Sequence, residues 1–149
     1  MKNRLVKPAL GLVCIVLLAL PLFGQRRGGG GGGGSAGCAI VETPRLSTPV
    51  VYLEPHAAVG VFDRVTNCAT NKKRYTITGS SVSSCGQETV FATGIMSFAG
   101  GESKNLSVGY PIAMDTCPGP MTVSISVYDG GTLLGSASTT LTVEYLTVQ

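Results

Sequence analysis

The sequence predicts an all-β domain built as a sandwich of about seven antiparallel strands. Apolar residues alternate with small polar ones in several segments after residue 38, which is the period of a strand with one buried face. Turn-forming residues separate these segments at short intervals, and no segment of about ten residues shows helical spacing. Many short strands of this kind favour two sheets packed face to face.

The most direct case is a hairpin near the end of the chain. Apolar and polar residues alternate strictly over residues 122–127, and the turn-forming triplet Asp129-Gly130-Gly131 follows. The next strand is predicted over residues 133–146. Its inward-facing residues are expected to be Leu141, Val143 and Tyr145.

The earlier strands follow from the same period. They are predicted over residues 49–53, 58–67, 73–82, 88–99 (with a break near Gly94) and 103–112. The side chains expected to face the core are Tyr75, Ile77, Leu106, Val108 and Tyr110.

The first 37 residues predict a leader and a linker. Lys2, Arg4 and Lys7 precede a short apolar run, which is typical of a secretory signal helix. Residues 1–24 are therefore expected to be a signal peptide or an uncleaved membrane anchor. Residues 25–37 form a linker that is expected to be disordered. Its seven consecutive glycines (28–34) would lose much conformational entropy on ordering and have no side chains whose packing could offset that loss. Lipidation of Cys38 is a less favoured alternative, since that linker separates it from the apolar run.

The charge of the predicted domain, residues 38–149, argues against nucleic acid as a partner. It has six Lys and Arg against eight Asp and Glu, a net charge of −2, whereas the whole chain is +3. A nucleic-acid-binding domain would carry a basic face.

Several segments resemble the immunoglobulin-like domains of secreted bacterial proteins, including the CARDB (cell-adhesion-related) group. The resemblance covers residues 59–143 and rests on turn and strand signatures at 64–67, 74–77, 100–103 and 117–123. It implies an immunoglobulin-like sandwich and a role in surface interaction. Met121 stands where many relatives have Tyr, so a tyrosine corner is not expected.

Four of the five cysteines lie in the domain, and the exported context predicts two disulfides. Four cysteines allow three pairings. In a sandwich, Cys38 before the first strand and Cys68 after the second lie at one end. Cys85 and Cys117 lie in loops at the other end. The predicted pairs are therefore Cys38–Cys68 and Cys85–Cys117.

The residue types needed for catalysis are scarce. His56 is the only histidine, it lies beside Pro55 in a predicted turn, and any Cys–His pair would need a disulfide cysteine. The carboxylates, Asp63 among them, are expected to be dispersed over turns and strand edges. No metal or cofactor is predicted, because the sequence has neither a CxxC pair nor a calcium loop.

One cluster is a candidate contact site. Lys72, Lys73 and Arg74 are expected to form a basic loop after the second strand, close to Cys68. Such a loop can touch an anionic lipid or polysaccharide, although a solvated loop is the more common outcome.

These observations predict a non-catalytic, exported module that is secreted, periplasmic or on the cell surface. Its expected partner is another envelope or extracellular protein, with a tether to the membrane through the N-terminal segment left open. The alternative is a secreted inhibitor or ligand-binding domain that acts through the loops after the second and sixth strands.

Overall fold

The computed structural model describes residues 37–147, and the predicted leader and most of the linker lie outside them. Within this range the chain forms nine strands and no helix, so no helix there could cross a membrane. The strands are β1 (Ala39–Val41), β2 (Arg45–Leu46), β3 (Val50–Leu53), β4 (Ala58–Asn67), β5 (Lys73–Val82), β6 (Glu88–Phe98), β7 (Ser103–Pro111), β8 (Gly119–Asp129) and β9 (Thr132–Tyr145).

The strands form two sheets, which confirms the predicted all-β sandwich. In the smaller sheet, β4 pairs with β7, and also with β1 and β2. The larger sheet has the order β3-β9-β8-β5-β6. Strands β6 and β7 follow each other in sequence but belong to different sheets, and each lies at the outer edge of its own.

Alternation places the core between the sheets. On β8, Met121, Val123, Ile125 and Val127 are buried, while the residues between them are more exposed. Strand β4 contributes Val59, Val61 and Val65 in the same way. Tyr75 and Ile77 are buried as predicted. Full burial of one such side chain stabilises the fold by about 1.5–3 kcal/mol.

The predicted hairpin is confirmed, and glycine explains its tight turn. Asp129 pairs with Thr132, so only Gly130 and Gly131 connect β8 to β9. Both have positive φ, +56° and +88°. A two-residue turn with positive φ at both positions matches the twist of the flanking strands, and glycine adopts it without steric cost.

The predicted break of β6 near Gly94 is wrong. The strand is continuous, and Gly94 pairs with Ile77 in the regular ladder. The irregularity lies opposite Gly79 and Ser80 instead. A Cβ on Gly79 would lie 2.5 Å from the Phe91 ring, so the bare glycine is what allows that ring to turn inward.

The start of the domain differs from the prediction in two respects. Strands β1 and β2, of three and two residues, were not predicted, because alternation cannot be recognised over so short a length. Strand β3 pairs with β9 in parallel, whereas an antiparallel sandwich was expected. The chain crosses from one sheet to the other between β2 and β3, and it therefore joins β9 running in the same direction.

Candidate functional site

Two disulfides clamp opposite ends of the sandwich. They join Cys38 to Cys68 and Cys85 to Cys117, which are the predicted pairs. Cys68 lies just before β5 and Cys85 just after it, so that strand runs from one bridge to the other. Disulfides of this kind are typical of an oxidising, extracytoplasmic compartment. Because Cys38 is bridged, its sulfur is not available for lipidation.

A buried amide organises the end of the sandwich that holds the first bridge. Asn67 is fully buried, and its Nδ2 donates to the carbonyls of Asn71 (2.9 Å) and Ala99 (2.8 Å). Its Oδ1 accepts from the Ala69 amide (3.0 Å) and from the Tyr75 hydroxyl (2.7 Å). These four bonds use the whole capacity of the amide. They hold the loop between β4 and β5 in place.

The Tyr75 hydroxyl links this network to the first bridge. Its single proton is shared between Asn67 Oδ1 and the Cys38 carbonyl (2.9 Å), and its oxygen accepts from the Cys38 amide (3.3 Å). Burial is the main cause that raises the pKa of this phenol above its usual value.

The predicted basic loop is only partly a loop. Lys72 lies in the connection between β4 and β5, whereas Lys73 and Arg74 are the first residues of β5. The Lys73 ammonium lies 3.7 Å from the Asp129 carboxylate, so part of its charge is compensated within the domain. Lys72 and Arg74 are exposed beside the last residues of β6, because Arg74 pairs with Ser97.

The sequence-based prediction placed Asp63 wrongly. It lies in the middle of β4 and faces the core, where it is only 7% exposed, and not at a turn or strand edge. Its Oδ1 accepts from the Arg64 amide at 2.6 Å. Its Oδ2 is buried and has no hydrogen-bond partner among the described residues. Asp63 alternates in step with Val61 and Val65, so the sequence itself indicates that it lies on the buried face of the strand.

Burial changes the acidity of this carboxyl group. Desolvation is the largest cause that raises the pKa of Asp63, to about 6 from 3.8, and the nearby Glu42 charge adds to it. The hydrogen bond from the Arg64 amide opposes the shift without cancelling it. At neutral pH the group is therefore ionised at a cost to the stability of the fold.

We expect Asp63 to make stability depend on pH. Because its folded-state pKa lies above the unfolded value, its contribution favours folding below about pH 4 and is lost as the pH rises through about 6. As the pH rises between these limits, the free energy of unfolding of Asp63→Asn should increase by about 2–3 kcal/mol relative to that of the natural protein. Urea unfolding across this range measures it, with the exposed Glu88→Gln as the control. Parallel profiles for the natural protein and Asp63→Asn would contradict the assignment.

Asp63 lines a cleft where the two sheets separate, between the edge strands β6 and β7. At one end the rings of Phe91 and Tyr110 stack across the gap, with centroids 4.3 Å apart. At the other end the Lys104 ammonium lies 5.3 Å from the centre of the Phe98 ring and donates to the Ser97 carbonyl (2.6 Å). Between these two closures the cleft has a volume of about 360 Å³.

The cleft is open because one of its edges has no side chain. Gly94 lies on the inward-facing side of β6, and a Cβ added there would meet nothing within 4 Å. Across the gap, Leu106 and Val108 of β7 have the predicted inward parity but stay half-buried. Inner strands close the cleft from behind with Asp63, Ile77 and Ile125. Its wall is thus mostly apolar, with one carboxylate.

The remaining candidate side chains are not brought together. His56 is exposed in the turn before β4 and has a φ of +67°. Tyr145 was expected to face the core but is 67% exposed, because β9 extends past the core at its last residues. In residues 37–147, no three His, Cys, Asp or Glu side chains are grouped so that they could hold a metal ion.

Comparison with known proteins shows the class of domain and no more. No protein-family model matches the chain, and no curated protein sequence matches it. Its fold is similar to a part of the β-glucosidase EmGH1 from Erythrobacter marinus, over 72% of this chain and 15% of that one, with 11% identity and a TM-score of 0.57. It is also similar to a part of the alkylpurine DNA glycosylase AlkC from Pseudomonas fluorescens, over 71% and 30%, with 18% identity and a TM-score of 0.56.

A third similar structure is Spo0M, a sporulation control protein from Bacillus subtilis, matched over 73% of this chain and 50% of that one, with 16% identity and a TM-score of 0.52. At such identities the likeness shows the fold alone. The chain spans half or less of the length of each of these proteins. It is an all-β sandwich domain of a kind that occurs within larger proteins of unrelated activity.

Proposed function

We propose that this protein is a non-catalytic, exported interaction module that binds another envelope or extracellular protein along strand β6. The single observation that carries the proposal is the outer edge of β6. This 11-residue strand pairs with β5 on one side and, among residues 37–147, with no strand on the other. The disulfides support export, and the predicted leader and the resemblance to CARDB-like domains are consistent with it.

The composition of β6 suits strand addition. Edge strands are commonly protected from pairing by lysine, proline, short length or a bulge. Strand β6 has no lysine or proline and is long, and its one irregularity, opposite Gly79 and Ser80, leaves residues 92–98 as a regular edge. Its exposed face carries Val90 and Ile95, which are 64% and 60% exposed. A partner strand could form main-chain hydrogen bonds along this edge and cover both apolar side chains.

Charge near the end of β6 would help to select the partner. Lys72 and Arg74 lie beside its last residues, and they are exposed. Acidic side chains at the matching end of the partner strand would complement them. This assigns the predicted basic cluster a supporting role in protein binding, and it makes contact with lipid or polysaccharide the secondary hypothesis.

Site-specific photo-crosslinking in the native cell tests the proposal. A photoreactive residue at position 95 should crosslink to a defined extracytoplasmic protein. The same residue at position 133 should not, although Leu133 is similarly exposed (54%) in the β8–β9 hairpin.

We expect Ile95→Lys to lower the yield of that complex by more than about tenfold, since a charge at the centre of an edge blocks pairing. Leu133→Lys is the matched control and should leave the yield unchanged. Equal yields for the two variants would overturn binding along β6. A captured hydrolase whose activity falls on binding would indicate the inhibitor alternative.

A further inference from the structure

We propose that the cleft between β6 and β7 binds a small organic cation, with its ammonium group paired to the Asp63 carboxylate and a short aliphatic body packed against Met96, Leu106 and Ile125. This site and the proposed partner surface use different side chains of β6. Gly94 and Met96 face the cleft from the inner side of β6, whereas Ile95 lies on its outer side.

The first argument is the unpaired acid. Buried carboxylates in folded proteins are almost always paired or hydrogen-bonded, and each exception calls for an explanation. In the described part of the chain, Oδ2 of Asp63 has neither kind of partner. Asp63 lines the cleft, and an ammonium group bound there would supply the opposite charge.

This role is not filled by Lys104, Arg64 or Glu42. Lys104 has inward parity on the neighbouring strand β7, but its ammonium is held by the Ser97 carbonyl and lies 3.6 Å from the Glu102 carboxylate. Arg64 is exposed on the opposite face of β4, and its side chain lies 4.0 Å from Glu42. Glu42 is itself an anion, and its charge raises the pKa of Asp63 further instead of compensating its charge.

The second argument is the shape and lining of the cleft. A volume of about 360 Å³ falls at the lower end of the range for small-molecule sites. Its lining combines apolar side chains with few polar groups, and Asp63 is the one carboxylate among the described residues that line it. A bare metal ion fits poorly, because Ca²⁺ takes about six to eight oxygen ligands. An amine with a short carbon chain matches both parts of the wall.

The proposal is tested by titrating the purified, disulfide-bonded protein with butylammonium, in parallel with butanol, at constant ionic strength near neutral pH. Butylammonium should give saturable NMR shifts at Gly94, Leu106 and Ile125 and should raise the thermal midpoint. Butanol, which has the same body without the charge, should bind more than about tenfold more weakly. Binding should also weaken as the pH falls through about 6, when Asp63 takes up a proton.

Two variants test separately the charge of Asp63 and the open volume of the cleft beside Gly94. Asp63→Asn should weaken butylammonium binding by more than about tenfold. Gly94→Leu should abolish binding while the protein stays folded, because the new side chain enters open space in the cleft. Glu88→Gln, an exposed acid on the same edge strand, is the control and should bind as the natural protein does.

Three results would overturn the proposal. They are no saturable shift with butylammonium, equal binding of butanol, and full binding retained by Asp63→Asn. None of them bears on the crosslink at position 95, so the two proposals can fail separately.

Discussion

Asn67→Ala is expected to lower the free energy of unfolding by about 4 kcal/mol, the largest effect we predict for a single substitution. The change removes four hydrogen bonds and leaves the Ala69 amide without its acceptor, while the Tyr75 hydroxyl keeps only the Cys38 carbonyl. The carbonyls of Asn71 and Ala99 also lose the bond that Asn67 donates to them. A buried polar group left unpaired costs about 1–3 kcal/mol, so the sum exceeds that of an ordinary surface change.

Urea unfolding monitored by tyrosine fluorescence measures this loss. The matched control is Asn105→Ala, which removes the same side chain from an exposed position on β7 and should change stability by less than about 0.5 kcal/mol. If the two variants were equally stable, Asn67 would not be the centre of this network. Hydrogen exchange should also show the loop after β4 opening more readily in Asn67→Ala.

Removal of the Cys85–Cys117 bridge is the second large effect. The double variant Cys85→Ala/Cys117→Ala frees a loop with a sequence separation of 32 residues. Closing a loop of that size stabilises a protein by about 3–4 kcal/mol, through the entropy of the unfolded chain. We therefore expect a loss of that size, with the sandwich still folded, because the core does not include either cysteine.

Two measurements check this expectation. Urea unfolding gives the loss of stability, and circular dichroism should show that the β content is retained. The natural protein under reducing conditions provides the comparison, since it loses both bridges and should be destabilised further. A double variant as stable as the natural protein would show that the bridge does not constrain the unfolded chain.

The parts of the fold that the sequence predicted are those with long alternation between clear turns. The predicted bounds of β4 and β5 agree with the structure to the residue, and the Gly130-Gly131 turn located the hairpin. The disulfide pairing followed from which loops share an end of a sandwich. Each of these predictions depends on local pattern or on simple connectivity.

Other features depend on three-dimensional relations that a local pattern does not contain. The parallel pairing of β3 with β9 depends on where the chain changes sheets. The cleft depends on β6 and β7 lying on separate sheets with no side chain at Gly94. Asp63 is a different case. Its parity among the valines of β4 indicates an inward position, a signal that the prediction of dispersed carboxylates did not use.

The central claim is that the sandwich holds an unpaired, buried carboxylate in the cleft between its edge strands. Titration of the Asp63 side-chain carboxyl carbon, followed by NMR on the purified protein without added amine, tests it most directly. We expect a midpoint of about 6, because burial destabilises the charged form. A midpoint at or below 3.8 would show a solvated or paired carboxylate, and it would contradict both the site and the ligand proposed for it.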